Sequence, residues 1–111
     1  MTRVAFILTL LFSAPWQEAE TVDVRDRGRV DLKRFECQDI SRSSLIGRVC
    51  YDSANRYMLV QHSGAYDHYC ELPKLTHDAF LNAPSMGQYF NANVKAAEPY
   101  DCRTHKVPSD Q

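Results

Sequence analysis

Residues 82–94 read Asn82-Ala83-Pro84-Ser85-Met86-Gly87-Gln88-Tyr89-Phe90-Asn91-Ala92-Asn93-Val94. Pro84 cannot continue a helix, because it lacks an amide proton and its ring clashes with the preceding turn. Ser85 begins a capping box with the glutamine three residues later, which satisfies amides that a helix start leaves unpaired. Met86, Phe90 and Val94 then recur every fourth residue, as on a helix that buries one face. The stretch therefore predicts two helices that meet at the proline.

Three segments with strand character precede these helices: Leu45–Tyr51, Tyr57–His62 and Tyr66–Leu72. Within each segment, apolar or aromatic residues alternate with the two-residue period of a strand. The intervening Asp52–Asn55 and Ser63–Gly64 are rich in turn-forming residues. Such short links favour a three-stranded antiparallel meander.

The first predicted helix runs from Pro73 to about Asn82 and the second from Ser85 to about Lys95. We therefore predict an α+β domain with a three-stranded antiparallel sheet, two short helices on one face and disulfide-tethered termini. The polar N-terminal part carries only two weak strand signals and is interpreted as an arm that packs onto this domain. The predicted organisation is a signal peptide at 1–19, an N-terminal arm at 20–42, the domain at 43–97 and a C-terminal tail at 98–111.

The N-terminus is typical of an export signal. Met1–Arg3 is positively charged, and Val4–Phe12 is an apolar run too short to cross a bilayer as a helix. No clean pair of small residues marks the cleavage site, and cleavage after Ala19 is one candidate. We predict a secreted or periplasmic protein with no membrane span after cleavage; an uncleaved anchor and a buried N-terminal helix are the alternatives.

Four cysteines remain after such cleavage, an even number that favours disulfides in a short exported chain. Cys50 and Cys70 fall on the first and third predicted strands, which the central strand separates by roughly 9–10 Å. A disulfide tolerates Cα separations only to about 7 Å, so direct pairing of these two is disfavoured. Of the three possible connectivities we favour Cys37–Cys50 with Cys70–Cys102, and the others stay open.

The charge balance argues against nucleic acid as a partner. The formal net charge is −1 and the sequence pI is about 6.4, whereas nucleic-acid binding usually needs a basic domain or stripe. The densest basic stretch, residues 25–34, is interleaved with aspartates and is typical of a solvated surface. No cofactor is predicted.

Two chemical alternatives are weaker than the structural interpretation. Three residues could contribute ligands to a metal site: His62, His68 and Cys70. A fourth ligand is not evident, and a cysteine in a disulfide cannot act as a thiolate ligand. Three others could supply the nucleophile, base and orienting group of a hydrolase: Ser85, His77 and Asp78. The serine, however, already has a role as a helix cap. We predict neither a metal site nor an enzyme.

Residues from about Ser43 to Lys95 resemble the KTSC domain, a family named for its occurrence at the C-terminus of some lysyl-tRNA synthetases. The resemblance covers about half of the chain, and the arm, the tail and the four cysteines lie outside the generic family pattern and resemble an exported bacterial stand-alone subgroup of the family. Gln61 and Asp67 replace aromatic or apolar residues of the family pattern, so a less apolar or shifted sheet centre is expected. The matching residues are Ser43-Ser44, Val49, Tyr51-Asp52, Leu59, Gly64, Tyr69, Leu72-Pro73, Ala83-Pro84-Ser85, Gly87 and Tyr89-Phe90-Asn91.

The resemblance implies a fold rather than an activity. The leading functional hypothesis is a small exported, non-catalytic binding or accessory module, a monomer of unknown ligand, with an envelope protein as one candidate partner. The alternative is a nucleic-acid-binding domain like the one appended to synthetases. Four aromatic residues could stack on bases in such a domain, although their spacing is also typical of a core: Tyr66, Tyr69, Tyr89 and Phe90. The candidate binding residues are Ser85, Gly87, Tyr89 and Asn91.

Overall fold

The computed structural model describes residues 20–96 and 98–109. The strands are β1 (Thr21–Val24), β2 (Gly28–Asp31), β3 (Glu36–Asp39), β4 (Ile46–Asp52), β5 (Tyr57–His62) and β6 (Ala65–Tyr69). The helices are α1 (Lys74–Leu81) and α2 (Met86–Phe90), which a π-helical turn extends over Asn91–Lys95. Short 3-10 turns occupy Leu32–Arg34, Glu98–Tyr100 and Cys102–Thr104. None of the helices within the described ranges is long and apolar enough to cross a membrane.

The six strands form one mixed sheet in the order β2-β1-β6-β5-β4-β3. Neighbouring strands are antiparallel except β1 and β6, which are parallel and share one residue pair, Val24 with Tyr66. Residues on β2 and β4, which have three strands between them in the sheet, belong to one buried cluster, and the sheet is curled into a half-barrel.

The prediction of a three-stranded antiparallel sheet is wrong. The predicted meander is present as β4, β5 and β6, but residues 20–42 add three further strands: β1 beside β6, β2 beside β1, and β3 beside β4. These strands were missed because each is four residues long and β3 has no buried residue. β1 and β3 pair with the edges of the meander and β2 pairs with β1, and these pairings, more than a long apolar pattern, make the segments extended.

The two helices cover one face of the sheet. The stripe predicted on the second helix is confirmed, since Met86, Phe90 and Val94 are almost completely buried. Together with buried residues of the sheet and of α1 they form the main core: Ile46, Val49, Tyr51, Met58, Val60, Leu72, Phe80, Met86, Phe90 and Val94.

The opposite face has a second core that includes both disulfides. Cys37 on β3 is bonded to Cys50 on β4, and Cys70 after β6 is bonded to Cys102 in the tail. These are the pairs that the sequence favoured. As expected, β5 lies between β4, which carries Cys50, and β6, which directly precedes Cys70. The remaining buried members of this core are Val24, Val30, Leu32, Tyr57 and Leu59.

Candidate functional site

Two of the predicted binding residues have structural roles in α2. Ser85 is the N-cap, and its Oγ accepts a hydrogen bond from the Gln88 amide at 3.3 Å. Gly87 is half-buried, and a Cβ placed there would lie 3.4 Å from Leu45 Cδ2. Both residues are therefore explained by helix capping and by packing beneath α2.

The other two predicted residues lie at the end of α2. Tyr89 is half-buried, and its ring stacks on Phe80 with centroids 6.0 Å apart. Asn91 is exposed at the first residue of the π-helical turn. Of the four predicted residues, Asn91 thus presents the polar side chain with the least evident structural role.

A larger concave feature lies where β1 leaves β6. This open cleft has a volume of about 1050 Å³ and is bounded by the start of the β1–β2 turn, by β6 and by the tail. Representative lining residues are Arg25, His68, Ala96, Asp101 and Thr104, and we call it the β6 cleft. Its lining residues come from three separate segments of the sequence, 25–26, 67–69 and 94–107, so no local pattern predicted it.

The outer edge of β6 presents main-chain groups to this cleft. The Arg25 amide donates to the Tyr66 carbonyl, and the Cys70 amide donates to the Tyr100 carbonyl, both at 2.9 Å. Because main-chain groups alternate in direction along a strand, the intervening His68 amide and carbonyl face the same outer side. No bond joins these two groups to a described residue on that side.

Paired charges line the same cleft. Asp67 Oδ1 lies 3.0 Å from Arg25 Nε, and Asp67 Oδ2 lies 2.6 Å from His62 Nε2. Asp101 is paired with Arg103 at 2.7 Å, and hydrogen bonds from Arg103 lower the pKa of the Asp101 carboxyl to about 2. The departure of Asp67 from the family pattern is thus accommodated by two polar partners, and the sheet is less apolar at this point.

The His68 side chain lies on the disulfide-bearing face of the sheet. Its Nδ1 is 2.8 Å from the Tyr57 hydroxyl, which also accepts a hydrogen bond from Arg27 Nη1 at 2.8 Å. Burial, together with the nearby Arg27 charge, lowers the pKa of the His68 imidazole. The imidazole is therefore predominantly neutral at pH 7.

The structure does not bring the metal candidates together. His62 packs against Phe90 on the helix-covered face, whereas His68 points to the opposite face beside Tyr57. Cys70 is bonded to Cys102 and cannot supply a thiolate. The described part of the chain contains no group of three or more His, Cys, Asp or Glu residues that could hold a metal ion.

The hydrolytic candidates are likewise engaged elsewhere. The Ser85 hydroxyl caps α2, and the structure shows no hydrogen bond between it and His77. His77 Nδ1 lies 2.9 Å from its neighbour Asp78, and the His77 ring stacks on Tyr51 with centroids 4.3 Å apart. The stacked His77 ring packs α1 against the sheet.

The candidate stacking aromatics mostly belong to the core. Phe90 is fully buried, and the Tyr69 ring meets it edge-on at 5.8 Å. Burial raises the pKa of the Tyr69 hydroxyl well above its ordinary value. Tyr66 and Tyr89 are half-buried, so these rings do not form an exposed stacking platform.

The KTSC family model matches residues 42–97, just over half of the chain. The chain belongs to the KTSC domain family. Among solved structures, the crystal structure of a KTSC domain protein from Yersinia pestis is similar to it, with 30% sequence identity and a TM-score of 0.53. The similarity covers 56% of this chain and 87% of the Yersinia chain. The comparison with curated proteins gave no match. Much of the β6 cleft, including Arg25 and the tail, lies outside the KTSC match.

Proposed function

We propose that this KTSC protein is an exported, non-catalytic binding module that holds a polar ligand in the β6 cleft. The observation that carries the proposal is the cleft itself, about 1050 Å³ in volume and open at the outer edge of β6 between its bonds to Arg25 and Tyr100. His68 offers a main-chain donor and acceptor there, and the surrounding ion pairs provide further polar contacts. Concave sites with a few convergent polar groups are the usual places for ligands to bind.

Two features support export. All four cysteines are joined in disulfides, which persist in oxidising compartments and are rare in the reducing cytosol. The predicted signal peptide, residues 1–19, lies outside the described residues and remains a sequence prediction. Together they favour a secreted or periplasmic location, where an envelope protein is one candidate partner and the module is proposed to act as a monomer.

The hydrogen-bond partners of the described histidines support a non-catalytic role. Catalysis of the nucleophilic type needs a base within hydrogen-bond reach of a nucleophile and oriented by a third group. Each histidine instead has a structural partner that is not a serine or a cysteine: His62 with Asp67, His68 with Tyr57, His77 with Asp78, and His105 with the Pro99 carbonyl.

Nucleic-acid binding gains no support from the charge distribution. A phosphate-binding surface needs cations that are available to phosphates. The arginines of the described segments are largely paired with carboxylates: Arg25 with Asp67, Arg29 with Asp23, Arg48 with Glu20, Arg56 with Glu71 and Arg103 with Asp101. The exposed Asn91, directly after α2, remains a second predicted contact point for a ligand.

Site-specific photo-crosslinking tests the proposal. A photoreactive residue replaces Thr104, an exposed residue that lines the cleft, or Ser53, an exposed residue of the β4–β5 turn that does not. Crosslinking is carried out in the culture of the native host. We expect a discrete adduct from position 104 and not from position 53.

Competition controls for specificity. Excess unlabelled wild-type protein should suppress the adduct, whereas an Ala96→Trp variant, whose indole would occupy the cleft, should not. Equal adducts from both positions, or equal competition by the Ala96→Trp variant, would contradict binding in the β6 cleft.

A further inference from the structure

The outer edge of β3 is an open strand edge. Cys37 and Cys50 are directly opposite with Cα atoms 4.0 Å apart, the short spacing of a pair without main-chain hydrogen bonds between its members. The Ile40 amide, three residues on, donates toward β4 to the Gly47 carbonyl at 2.9 Å. Both observations place the amides and carbonyls of Cys37 and Asp39 on the side facing away from β4.

This edge is open but held in place. Among the described residues, no main-chain hydrogen bond covers the outer side of β3, which ends the sheet. The Cys37–Cys50 disulfide joins β3 covalently to β4. Native proteins usually cover or disrupt such an edge, because it is a template for pairing with another strand. The edge is therefore preorganised to pair with a further strand.

The sequence of this edge is complementary to itself. Antiparallel pairing of two copies centred on Asp39 places Glu36 of each copy opposite Arg42 of the other. Both side chains are exposed, and neither forms an ion pair with a described residue of its own chain. Arg42 donates through Nη2 to the Leu81 carbonyl at 2.8 Å, which leaves its other N–H groups for a carboxylate. Opposite charges across a strand pair are stabilising, so this register adds two ion pairs.

The same register brings apolar surface together. Gln38 pairs with Val49, which belongs to the main core, so Gln38 lies on the helix-covered face. An apolar groove of about 370 Å³ lies there between β3 and α1, and its lining residues include Gln38, Val49, His77 and Leu81. Pairing centred on Asp39 places the half-buried Ile40 of the second copy opposite Gln38, at the open side of this groove.

From these observations we infer that β3 is the interface of a homodimer, in which two copies join their sheets by antiparallel pairing centred on Asp39. The pairing is two-fold symmetric and uses the same edge of both copies, so it leaves no β3 edge open for a third copy. No residue of β3 lines the β6 cleft. Each copy therefore still acts alone at its own cleft, as proposed above, and either site can fail its test without the other.

The centre of the interface limits its strength. The two Asp39 carboxylates would be directly opposite, and like charges at such positions are destabilising. Each carboxylate is 89% exposed and lies 3.3 Å from Nε of Arg48 in its own chain, so it keeps its hydration and has a counter-charge. We therefore expect a weak dimer, which Asp39→Asn should strengthen at least about threefold by removing the repulsion.

The test measures dimerisation of the oxidised protein exported by its native host. Sedimentation equilibrium from about 10 μM to about 1 mM should show a reversible monomer–dimer equilibrium. Over the same range, amide NMR should show slower hydrogen exchange for Cys37 and Asp39 as the concentration rises. Exchange of the Gln38 amide, which faces β4, should not depend on concentration.

Charge reversal tests the register. Glu36→Lys places two cations opposite each other and Arg42→Glu places two carboxylates opposite each other, so each should weaken the dimer at least about fivefold. The Glu36→Lys/Arg42→Glu double variant restores opposite charges and should dimerise like wild type. A mixture of the two single variants should form a heterodimer, because both of its cross-strand pairs are then of opposite charge.

The matched controls lie at the other side of the sheet. Asp23→Lys on β1 and Arg29→Glu on β2 also reverse exposed charges and should leave dimerisation unchanged. Because all the reversed residues are exposed, each variant is expected to fold.

Three outcomes would overturn the inference. The first is a protein that stays monomeric up to about 1 mM, where dissociation constants in the millimolar range would be visible. The second is a dimer that neither single reversal at Glu36 or Arg42 weakens. The third is protection of the Cys37 and Asp39 amides only after culture medium of the native host is added, which would assign the edge to a different molecule.

Discussion

At the scale of single residues, charged and polar side chains secure the tail. Asp101 Oδ1 accepts a hydrogen bond from the Arg103 amide at 2.9 Å and caps the turn that carries Cys102. Arg27 Nη2 donates to the Pro108 carbonyl at 2.7 Å, which holds the chain further along. Each bond joins a side chain to the main chain, so the loss of either bond should lower the stability of the folded protein.

Replacing Asp101 by alanine should lower the Tm in a pH-dependent way. The folded-state pKa is depressed to about 2, so the carboxylate contributes fully above its unfolded pKa of about 3.9 and loses that contribution as the pH falls toward 2. The Tm difference between wild type and variant should be constant from pH 7 to about pH 5 and should narrow below about pH 4. Asp101→Asn, which retains an acceptor without a charge, is the control. A Tm difference that does not change with pH would contradict this role.

His68 should make the protein less stable in mild acid. Its folded pKa is lowered by burial and by Arg27, so the unfolded chain binds a proton at a higher pH than the folded protein does. Stability is therefore lost as the pH falls below about 6.5. The His68→Gln variant should show a shallower decrease in unfolding free energy between pH 7 and pH 5, measured by urea titration. Equal slopes for both proteins would show that His68 is not the group responsible.

At the scale of secondary structure, sequence patterns predicted the parts that form their own buried face. The helices and the β4–β6 meander have apolar periodicity, and Pro84 marks the break between the helices. Segment β3 reads Glu-Cys-Gln-Asp and buries none of these residues, so only its pairing with β4 makes it a strand. The β6 cleft depends on the pairing of β1 with β6 and could not be predicted from local patterns.

Two substitutions in α2 should have opposite effects. Ser85→Ala removes the cap on the Gln88 amide and should cost about 1 kcal/mol of unfolding free energy. Gly87→Ala should stabilise by about 0.5 kcal/mol, because alanine restricts the unfolded chain and its Cβ meets Leu45 at van der Waals distance. Urea unfolding of both variants checks this prediction. Destabilisation by Gly87→Ala would mean that Leu45 cannot adjust.

At the scale of the whole molecule, the disulfides attach the N-terminal strands and the tail to the KTSC domain. The Cys37–Cys50 and Cys70–Cys102 bridges span 13 and 32 residues of sequence. Both lie in the second core, on the face that the helices do not cover. The family match ends before Cys102 and begins after Cys37, so each bridge joins the matched domain to a segment outside it.

Removing each bridge by paired serine substitutions should destabilise the protein. Loop-closure entropy predicts a loss of about 3 kcal/mol for the Cys37–Cys50 bridge and slightly more for the Cys70–Cys102 bridge, which closes the longer loop. Urea unfolding without reductant measures both losses. Hydrogen exchange should increase in β3 for the first variant and in the tail for the second. Unchanged stability in both variants would show that pairing and packing alone hold these segments.

The most direct test of the central claim is disulfide mapping of the protein recovered from its native host, with free thiols alkylated at harvest. Digestion without reductant should yield one peptide pair joined through Cys37 and Cys50 and another through Cys70 and Cys102. Four alkylated cysteines, or a bond between Cys50 and Cys70, would contradict an exported KTSC domain whose added strands and tail are covalently attached.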